Sequence, residues 1–599
     1  MIKRTKYCGQ ISQEDLDKEV VLCGWVHRVR NHGGVVFIDL RDREGIVQVV
    51  VEELNSPSAY EVADKLGSED VVCIKGIVRR RPPGTENPKL KTGNFEVLAK
   101  HVELINSAEI LPFPVDEETP ISEEIKLKYR YLDLRRESMK ENLLFRHRAY
   151  QVIRKVFVEN GFVEVETPFL TKSTPEGARD FIVPSRLHPG KFYALPQSPQ
   201  LFKQILMVAG FDRYFQIVKC LRDEDLRADR QPEFTQIDFE MSFVDEEDVI
   251  TITEQLIKTL FEELLGIEVK TPFERLSYQE CMERFGSDKP DRRFGLELVE
   301  LTDLFKSTEF KVFRDSIEKG GVIKALNFNL GELSRKDLDE LTKFVQSLGA
   351  KGLAWIKVEE DKLTSPITKF LKEEEIKGIL ERTRAKPGDT ILFSADKKEI
   401  VYKILGNLRL HLAKLFNLQQ KDRFDFLWVV DFPLMEWDEE EGRFVSLHHP
   451  FTSPREEDIP ILQKALETED LEERKKLVHS VRARAYDLVI NGYEVGGGSI
   501  RIHRRDLQEL VFKLLNISPL EAEEKFGFLL RALGFGAPPH GGLALGLDRL
   551  LAIMRGLDSI RDVIAFPKTQ KGICPLTGAP DYVSPKQLKD VHIKTVETQ

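Results

Sequence analysis

Residues 222–240, RDEDLRADRQPEFTQIDFE, decide the fold of this chain. They follow the apolar run YFQIV at 214–218 and end in a second apolar stretch that carries acidic residues. This pattern predicts two strands joined by a strongly charged loop. A salt-bridged surface hairpin would need neither an arginine beside an apolar strand nor acids within the returning strand. Because buried charges cost several kcal/mol unless they are paired, we expect functional or structural ion pairs here.

Two other segments accompany this hairpin. Residues 161–170, GFVEVETPFL, run into a strand that stops at a proline. Residues 541–551, GGLALGLDRLL, predict a glycine-bearing strand that passes into a helix beginning with Arg549. Glycines let a flat ligand lie against the backbone, and the arginine can lie over an adenine or reach a phosphate. The sequence has no GxxxxGK(S/T) loop, which excludes the P-loop mode of ATP binding.

The N-terminal part is predicted to be a small β-barrel that binds single-stranded nucleic acid. Alternation places Val36, Ile38 and Leu40 inside and Phe37 outside, where its ring can stack on an unpaired base. Gln48 can share that outer surface and read a base edge. For a lone phenylalanine the alternative is an ordinary core residue, and the basic stretch at 75–100 favours the binding interpretation.

The bulk composition limits the class of protein. Hydrophobic residues make up 41% and charged residues 32% of 599 residues, which is typical of a soluble multidomain protein. The net charge of −11 does not exclude nucleic-acid binding, which needs only a local basic surface. We expect neither a membrane span nor a secretory signal. The six scattered cysteines form no CxxC pair, which argues against a zinc ribbon or a disulfide framework and fits a reducing cytosol.

Together, these segments resemble the three motifs of class II aminoacyl-tRNA synthetases, and the best match is the aspartyl branch in its bacterial form. The resemblance covers essentially the whole chain. Leu221 departs from the family, which usually has an aromatic residue before the motif arginine. The most specific elements are QSPQLFKQ at 197–204, residues 222–240, FGSDKPD at 285–291, HHPFT at 448–452, YEVGGGSIRIH at 493–503 and GLDR at 546–549.

The resemblance implies an α+β multidomain fold with an N-terminal OB-fold barrel, an antiparallel-sheet catalytic core and an inserted α+β domain. We predict these boundaries: 1–105, anticodon-binding OB domain; 106–130, linker; 131–294, first part of the catalytic core; 295–420, bacterial insertion; 421–567, second part of the core; 568–599, C-terminal extension. The segment around Pro168 resembles a dimer-interface motif, so we expect a homodimer. A cytoplasmic location is expected.

The implied activity is the ATP-dependent activation of L-aspartate and its transfer to tRNA(Asp). His32 and Gly84 resemble residues of non-discriminating relatives, which adds tRNA(Asn) as an expected substrate; both could instead be merely turn residues of an enzyme that is strictly specific for tRNA(Asp). An asparaginyl or lysyl enzyme, an amide-forming paralogue and an RNA-binding protein with an inactive core are three competing hypotheses. Lys203, Arg501 and the insertion disfavour the first of these, the anticodon domain the second, and the intact set of Arg222, Glu494, Arg501 and Arg549 the third.

The resemblance also assigns residues to roles. For aspartate these are Glu176, Ser198, Gln200, Lys203, Arg222, Asp238, His448 and Arg501. For ATP they are Arg222, Asp223, Glu224, Gln231, Glu494, Gly546, Leu547, Asp548 and Arg549, with Arg222 and Arg549 catalytic. Asp487 and Glu494 are expected to hold Mg²⁺, and Phe37, Gln48 and Glu96 to contact anticodon bases.

Overall fold

The computed structural model describes residues 2–174, 178–226 and 230–597. The chain forms two compact units. One contains residues 1–146 and 561–581, and the other contains residues 147–560 and 582–599.

The first unit contains a closed five-stranded barrel with strand order β1–β2–β3–β5–β4. The strands are Glu19–Asn31 (β1), Val35–Asp42 (β2), Gly45–Glu52 (β3), Val71–Arg80 (β4) and Phe95–Asn106 (β5). β3 and β5 run parallel, and the other neighbours are antiparallel. Closure pairs each strand on both sides. This confirms the predicted OB-fold barrel.

The predicted alternation in β2 is observed. Val36, Ile38 and Leu40 are fully buried in the barrel core, whereas Phe37 on the other face is only partly buried. β-branched and leucine side chains fill the interior because they pack well on a pleated surface. Residues 32–34 join β1 to β2, and Gly33 and Gly34 adopt positive φ angles of 55° and 93° there.

One pair of cysteines differs from the sequence expectation. Cys23 in β1 lies directly opposite Cys73 in β4, and the two form a disulfide. Their separation of 50 residues carries no local signal, and only the strand register brings them together. Cys8, Cys220, Cys281 and Cys574 are free and buried.

The rest of the first unit is held together by Arg130, which is 2% exposed. Its guanidinium donates to the carbonyl oxygens of Arg561, Ile564 and Ala565 at 2.5, 2.8 and 2.9 Å. These bonds attach the segment 561–581 to the helices that follow the barrel. The helices of this part of the chain are Pro57–Ala63 (α1), Glu123–Lys128 (α2), Arg130–Asp133 (α3) and Glu137–Glu159 (α4), the last of which continues into the second unit.

The second unit is built on an eight-stranded sheet of order β11–β17–β20–β21–β22–β10–β9–β6. Its strands are Val163–Glu164 (β6), Arg213–Leu221 (β9), Glu233–Ser242 (β10), Glu274–Ser277 (β11), Phe426–Val430 (β17), Ala485–Ile490 (β20), Tyr493–Ile500 (β21) and His540–Gly546 (β22). All neighbours are antiparallel except the two edge pairs β6–β9 and β11–β17. This confirms the predicted antiparallel core, with the charged loop at 222–232 joining β9 to β10.

A separate five-stranded sheet of order β12–β13–β16–β14–β15 lies within the predicted insertion. Its strands are Val299–Glu300 (β12), Val322–Phe328 (β13), Ala354–Val358 (β14), Leu363–Thr364 (β15) and Thr390–Asp396 (β16). The described residues also form two short hairpins: Ile182–Pro184 (β7) with Phe192–Ala194 (β8), and Met435–Asp438 (β18) with Arg443–Ser446 (β19). The boundaries that we assign to the domains remain a proposal.

The helices of the second unit pack against its sheets. Capping residues bind the free backbone groups at the helix ends, as α6 (Glu246–Leu265) shows. Helix α6 is capped at its N-terminus by Asp245, whose carboxylate accepts from the Asp248 amide, and at its C-terminus by Gly266 in a left-handed conformation. Within the described ranges, no helix is long and apolar enough to cross a bilayer. The helices are Gln200–Val208 (α5), Glu246–Leu265 (α6), Tyr278–Phe285 (α7), Lys311–Glu318 (α8), Arg335–Ser347 (α9), Glu373–Thr383 (α10), Lys398–Leu415 (α11), Ile459–Glu467 (α12), Leu471–His479 (α13), Arg505–Leu514 (α14), Pro519–Leu533 (α15), Leu547–Arg555 (α16) and Pro585–Asp590 (α17).

Candidate active site

One face of the eight-stranded sheet presents a row of polar side chains separated by small residues. Asp238 in β10 pairs with Ala544 in β22, Ala544 with Gly497 in β21, and Gly497 with Asp487 in β20. Directly paired residues of antiparallel strands point to the same face. Ala544 and Gly497, which have little or no side chain, therefore separate the carboxylates of Asp238 and Asp487 on this face.

A buried cluster of charges lies at one end of this face. The Lys203 ammonium, on α5, donates to the Asp238 carboxylate at 2.9 Å and lies 3.6 Å from Glu240. The Arg501 guanidinium donates to Glu240 at 3.2 and 3.4 Å and to the Ser499 hydroxyl at 2.7 Å. Lys203, Asp238, Glu240 and Arg501 are at most 4% exposed. Two cations and two anions are thus buried together, as the sequence predicted for acids inside this strand.

The pKa values in the cluster reflect this pairing. Burial by itself raises the pKa of Glu240, but Arg501 and Lys203 lower it below its ordinary value. Burial by itself lowers the pKa of Arg501, but Glu240 raises it above its ordinary value. Burial raises the pKa of the Asp238 carboxyl, and Lys203 opposes that rise. The Arg501–Glu240 pair therefore stays ionised.

Two side chains that sequence reasoning missed complete the cluster. The Tyr214 hydroxyl donates to the Asp238 carboxylate at 3.0 Å, and the Gln216 amide donates to the Tyr214 hydroxyl at 2.9 Å. Glu240 was also missed as a site residue. The available signal was the two-residue spacing of Asp238 and Glu240, which puts both on one face of a strand.

A cavity of about 1070 Å³ opens beside the cluster. Five of the predicted site residues line it: Ser198, Gln200, Arg222, Glu224 and His448. Lys203, Asp238 and Arg501 do not line it and are buried in the charged cluster. Among the residues that the structure describes, the Gln200 amide nitrogen is buried without a hydrogen-bond acceptor, which marks it as a donor available to a ligand.

Arg222 is oriented by its surroundings at the mouth of the charged loop. Its Nε donates to the Gln197 carbonyl oxygen at 3.3 Å, and its guanidinium lies 5.0 Å from the centroid of the Phe234 ring. These contacts hold a cation against the cavity wall. The backbone of Asp223 pairs with that of Arg179 in an isolated antiparallel β-bridge.

The predicted nucleotide residues lie around the charged loop and the junction of β22 and α16. Glu224 accepts from Arg230 at 3.4 Å, and Gln231 is buried. The Arg549 guanidinium lies 4.5 Å from the centroid of the Tyr493 ring. Asp548 is buried and accepts from the Thr235 amide at 2.9 Å, so it joins α16 to β10. Gly546 is the last residue of β22, and Leu547, which is fully buried, is the first of α16.

Asp487 and Glu494 lie on the same face because β21 contains a bulge. Leu488 pairs with Gly496, but Val489 pairs with Glu494, so Val495 is the extra residue. A β-carbon built on Gly497 would lie 2.4 Å from an Asp487 oxygen and 3.3 Å from a Glu494 oxygen. A side chain at position 497 would displace the Asp487 carboxylate from this arrangement.

Electrostatics agrees with this proximity. The Asp487 carboxylate raises the pKa of Glu494 to about 7. Burial by itself lowers the pKa of His448, but Asp487, hydrogen-bonded at 3.1 Å, raises it above its ordinary value. The carboxylates of Asp487 and Glu494 repel each other when both are charged, and a nearby cation relieves this repulsion.

The predicted anticodon residues meet on the outer face of the barrel. Gln48 donates to Glu96 at 3.0 Å and accepts from Arg30 at 3.4 Å, and Arg79 donates to Glu96 at 2.8 Å. Phe37 lies beside this row, with its ring centroid 6.0 Å from the Arg30 guanidinium. An aromatic face is thus placed next to fixed hydrogen-bonding groups.

The two residues predicted to discriminate between tRNAs are loop residues. His32 is exposed, its backbone closes the β1–β2 turn, and its ring makes an edge contact with Phe37 at 5.7 Å. Gly84 has a φ of 84° and open space around its α-carbon. The remaining predicted aspartate contact, Glu176, lies outside the described residues.

Comparison with known families gives two matches. Residues 122–570 match the family described as tRNA synthetases class II (D, K and N). Residues 20–105 match the OB-fold nucleic acid binding domain of the anticodon-binding type.

The chain is also similar to named proteins over its whole length. It is 74% identical over 595 residues to the aspartate–tRNA(Asp/Asn) ligase of Aquifex aeolicus, with 99% of each chain covered. It is 61% identical to the enzyme of the same name from a Hydrogenobaculum species, again with 99% of each covered.

Solved structures share the fold at low identity. The asparaginyl-tRNA synthetase of Pyrococcus horikoshii, complexed with asparaginyl-adenylate, has a TM-score of 0.56 at 21% identity and covers 95% of this chain and 99% of its own. A putative aspartyl-tRNA synthetase from Leishmania major has a TM-score of 0.56 at 18% identity, with coverages of 97% and 94%.

Proposed function

Because this chain belongs to the class II tRNA synthetases (D, K and N), we propose that it is an aspartate–tRNA ligase. It activates L-aspartate with ATP and transfers the aspartyl group to the 3′ end of tRNA. Relatives named aspartate–tRNA(Asp/Asn) ligase, with up to 74% identity over the full length, support this assignment. The reaction takes place in the cytoplasm.

The observation that carries the choice of aspartate is the buried cluster of Lys203 and Arg501 with its two carboxylates. A guanidinium binds a carboxylate through two parallel hydrogen bonds and offers an amide much less. Glu240 holds Arg501 and Lys203 in a buried position, where electrostatic selection is strongest. An acidic side chain reaching this cluster from the cavity is therefore favoured over asparagine or a cationic lysine.

The chemistry proceeds in two displacement steps. An oxygen of the aspartate α-carboxylate attacks the α-phosphorus of ATP, and the bond to the β-phosphate oxygen breaks as pyrophosphate leaves. The terminal hydroxyl of the tRNA then attacks the carbonyl carbon of the aspartyl-adenylate, and AMP leaves. Arg222 neutralises charge on the α-phosphate, and Arg549 orients the nucleotide from the helix end.

Asp487 and Glu494 would hold Mg²⁺ on the ATP phosphates. In the described part of the chain, no group of three or more His, Cys, Asp or Glu side chains is arranged to hold a metal ion. Mg²⁺ commonly takes only one or two carboxylates and completes its shell with phosphate oxygens and water. The two carboxylates over Gly497, with the raised pKa of Glu494, fit this chemistry. When bound, the ion supplies positive charge to the phosphates.

The test of the proposed function is ATP–pyrophosphate exchange with aspartate, asparagine and lysine supplied separately. We expect exchange with aspartate and only background exchange with the other two. Discrimination follows because an amide brings no negative charge to Lys203 and Arg501 and cannot accept two parallel hydrogen bonds from the guanidinium. Exchange driven best by asparagine or lysine would refute the assignment.

We propose that the enzyme charges both tRNA(Asp) and tRNA(Asn). The names of the two relatives above support this, and so do the loop residues His32, whose ring contacts Phe37, and Gly84, which resemble residues of non-discriminating relatives. Pure transcripts of both tRNAs should accept radiolabelled aspartate. A chain that aspartylates tRNA(Asp) but leaves tRNA(Asn) uncharged at high enzyme concentration would show strict specificity instead.

Phe37 is proposed to stack on an anticodon base. Stacking is worth about 1–3 kcal/mol per base, so Phe37→Ala should lower kcat/KM for tRNA about 5- to 150-fold. Pyrophosphate exchange, which needs no tRNA, should stay at the wild-type rate. The matched control is Leu54→Ala, which removes an apolar side chain that is 97% exposed in the same unit. Equal losses of charging in both variants would argue against stacking.

We propose a homodimer formed through the segment around Pro168. Several large apolar residues before and after this segment are exposed, and Thr171 forms an isolated β-bridge with Ala194 in β8 of the β7–β8 hairpin. Large apolar side chains left exposed near one segment are a reason to propose that a partner covers them. The exposed residues are Val158, Val163, Phe169, Leu170, Ile182 and Leu187.

A further inference from the structure

The segment 285–291, FGSDKPD, has no role in the chemistry described above, although it is one of the most specific motifs of the sequence. It connects α7 to the inserted five-stranded domain and passes beside the β20–β21 turn. That turn, Asn491 and Gly492, joins the strands that carry Asp487 and Glu494. A movement of the inserted domain can therefore be passed through this segment to the carboxylates of Asp487 and Glu494.

We infer that Asp291 is a positioning residue, through which the inserted domain holds the turn that sets the metal-binding carboxylate of Glu494. The inference rests on the proposed function, because it assigns Asp487 and Glu494 to Mg²⁺ and ATP.

The first contact is between Asp291 and the turn. A β-carbon built on Gly492 would lie 2.7 Å from the β-carbon of Asp291 and 3.3 Å from its α-carbon. Gly492 has a φ of 79° and Asn491 a φ of 53°, so the turn has a tight left-handed geometry. The two backbones are in direct contact, and a shift of Asp291 must shift the turn.

The second set of contacts fixes the Asp291 side chain, which is 1% exposed. Arg293 donates to both carboxylate oxygens, at 2.9 and 2.8 Å. Gln419, just after α11, donates to the same carboxylate at 3.0 Å. The Arg293 backbone amide also donates to it, at 3.1 Å. A buried carboxylate with four donors is held in one orientation.

The third set of contacts comes from the insertion. Arg409 on α11 is 1% exposed and donates to the carbonyl oxygens of Asp291 and Leu296 at 3.0 and 2.7 Å, and also to that of Gly295. Its guanidinium lies between the rings of Phe285 and Phe294, at 5.0 and 4.7 Å. The buried Arg409 guanidinium thereby fixes α11 against the segment 285–291.

The turn is held from its other side as well. The Asp425 amide donates to the Asn491 side-chain oxygen at 2.8 Å, and Arg292 donates to the Asp425 carboxylate at 2.9 and 2.8 Å. Glu494 lies two positions after Gly492, and the bulge at Val495 lies next to it. A small movement of the turn is therefore passed directly to the Glu494 carboxylate.

The test compares three variants of the full chain: Asp291→Asn, Gln419→Ala and the control Asp303→Asn. Asp303 forms an ion pair with Arg382 inside the insertion and is 53% exposed. Calorimetry measures the binding of AMP-PCP with Mg²⁺ and, separately, of aspartate. Thermal unfolding reports whether each variant folds.

We expect Asp291→Asn to weaken binding of Mg²⁺–AMP-PCP about 10- to 100-fold, as loss of a group that supports a metal ligand does. Gln419→Ala removes one hydrogen bond and should weaken it about 2- to 10-fold. Aspartate binding should be unchanged in both, and Asp303→Asn should match the wild type throughout. The Mg²⁺ concentration for half-maximal exchange should rise in the same order.

Equal losses of aspartate and AMP-PCP binding would overturn the inference, because they indicate a general structural role. Unchanged AMP-PCP binding in Gln419→Ala and in a folded Asp291→Asn would overturn it too. If the wild type binds Mg²⁺–AMP-PCP but shows no aspartate-dependent exchange, the proposed function fails; selective loss of the analogue in the variants would still support the inference.

Discussion

Replacing Arg222 by alanine is expected to reduce aspartate-dependent ATP–pyrophosphate exchange by about 10²- to 10³-fold or more. The guanidinium is held at the cavity wall by the Gln197 carbonyl and the Phe234 ring, so it is in place before substrate arrives. A preorganised cation stabilises the charge that develops on the α-phosphate without the cost of reorientation. The measurement is the exchange rate at saturating aspartate and ATP.

The control for Arg222→Ala is Lys219→Ala in the preceding strand. Lys219 is 62% exposed and pairs with Glu233 at 3.7 Å, so its removal deletes a cation of the same hairpin outside the cavity. Such an exposed pair contributes little to stability. Exchange should persist in Lys219→Ala. Near-normal exchange in Arg222→Ala would remove Arg222 from the mechanism.

Replacing Arg501 by methionine is expected to lower kcat/KM for aspartate by about 10²-fold or more and to destabilise the fold. The change removes the guanidinium and leaves Glu240 buried beside Lys203 alone, where breaking a buried pair costs about 3–5 kcal/mol of the free energy of unfolding. Exchange kinetics with varied aspartate and urea unfolding measure the two effects separately.

A double variant separates recognition from stability. Adding Glu240→Gln to Arg501→Met removes the unpaired charge and leaves Lys203 with Asp238, so much of the lost stability should return. Activation of aspartate should remain low, because the cation for its side chain is still missing. Recovery of aspartate activation in the double variant, or its retention in Arg501→Met, would contradict the proposed role.

Short-range patterns in the sequence determined the elements and the chemistry they carry. The alternation at Val36, Ile38 and Leu40 determined which face of β2 is the barrel core, because successive side chains of a strand point to opposite faces. Arg222 beside an apolar strand and the acids of the returning strand identified the charged hairpin, because buried charges must be paired. The motifs were sufficient to indicate the family, because their residues and their order along the chain can both be read from the sequence.

Only the tertiary structure decided which groups meet. Arg501 and Glu240 are 261 residues apart, and the strand order places one beside the other. The Cys23–Cys73 disulfide depends on strand register in the same way. Strict alternation from Gly497 would put Glu494 on the opposite face, but the bulge at Val495 turns it toward Asp487. Register and bulges depend on the packing of distant strands, so no local pattern specifies them.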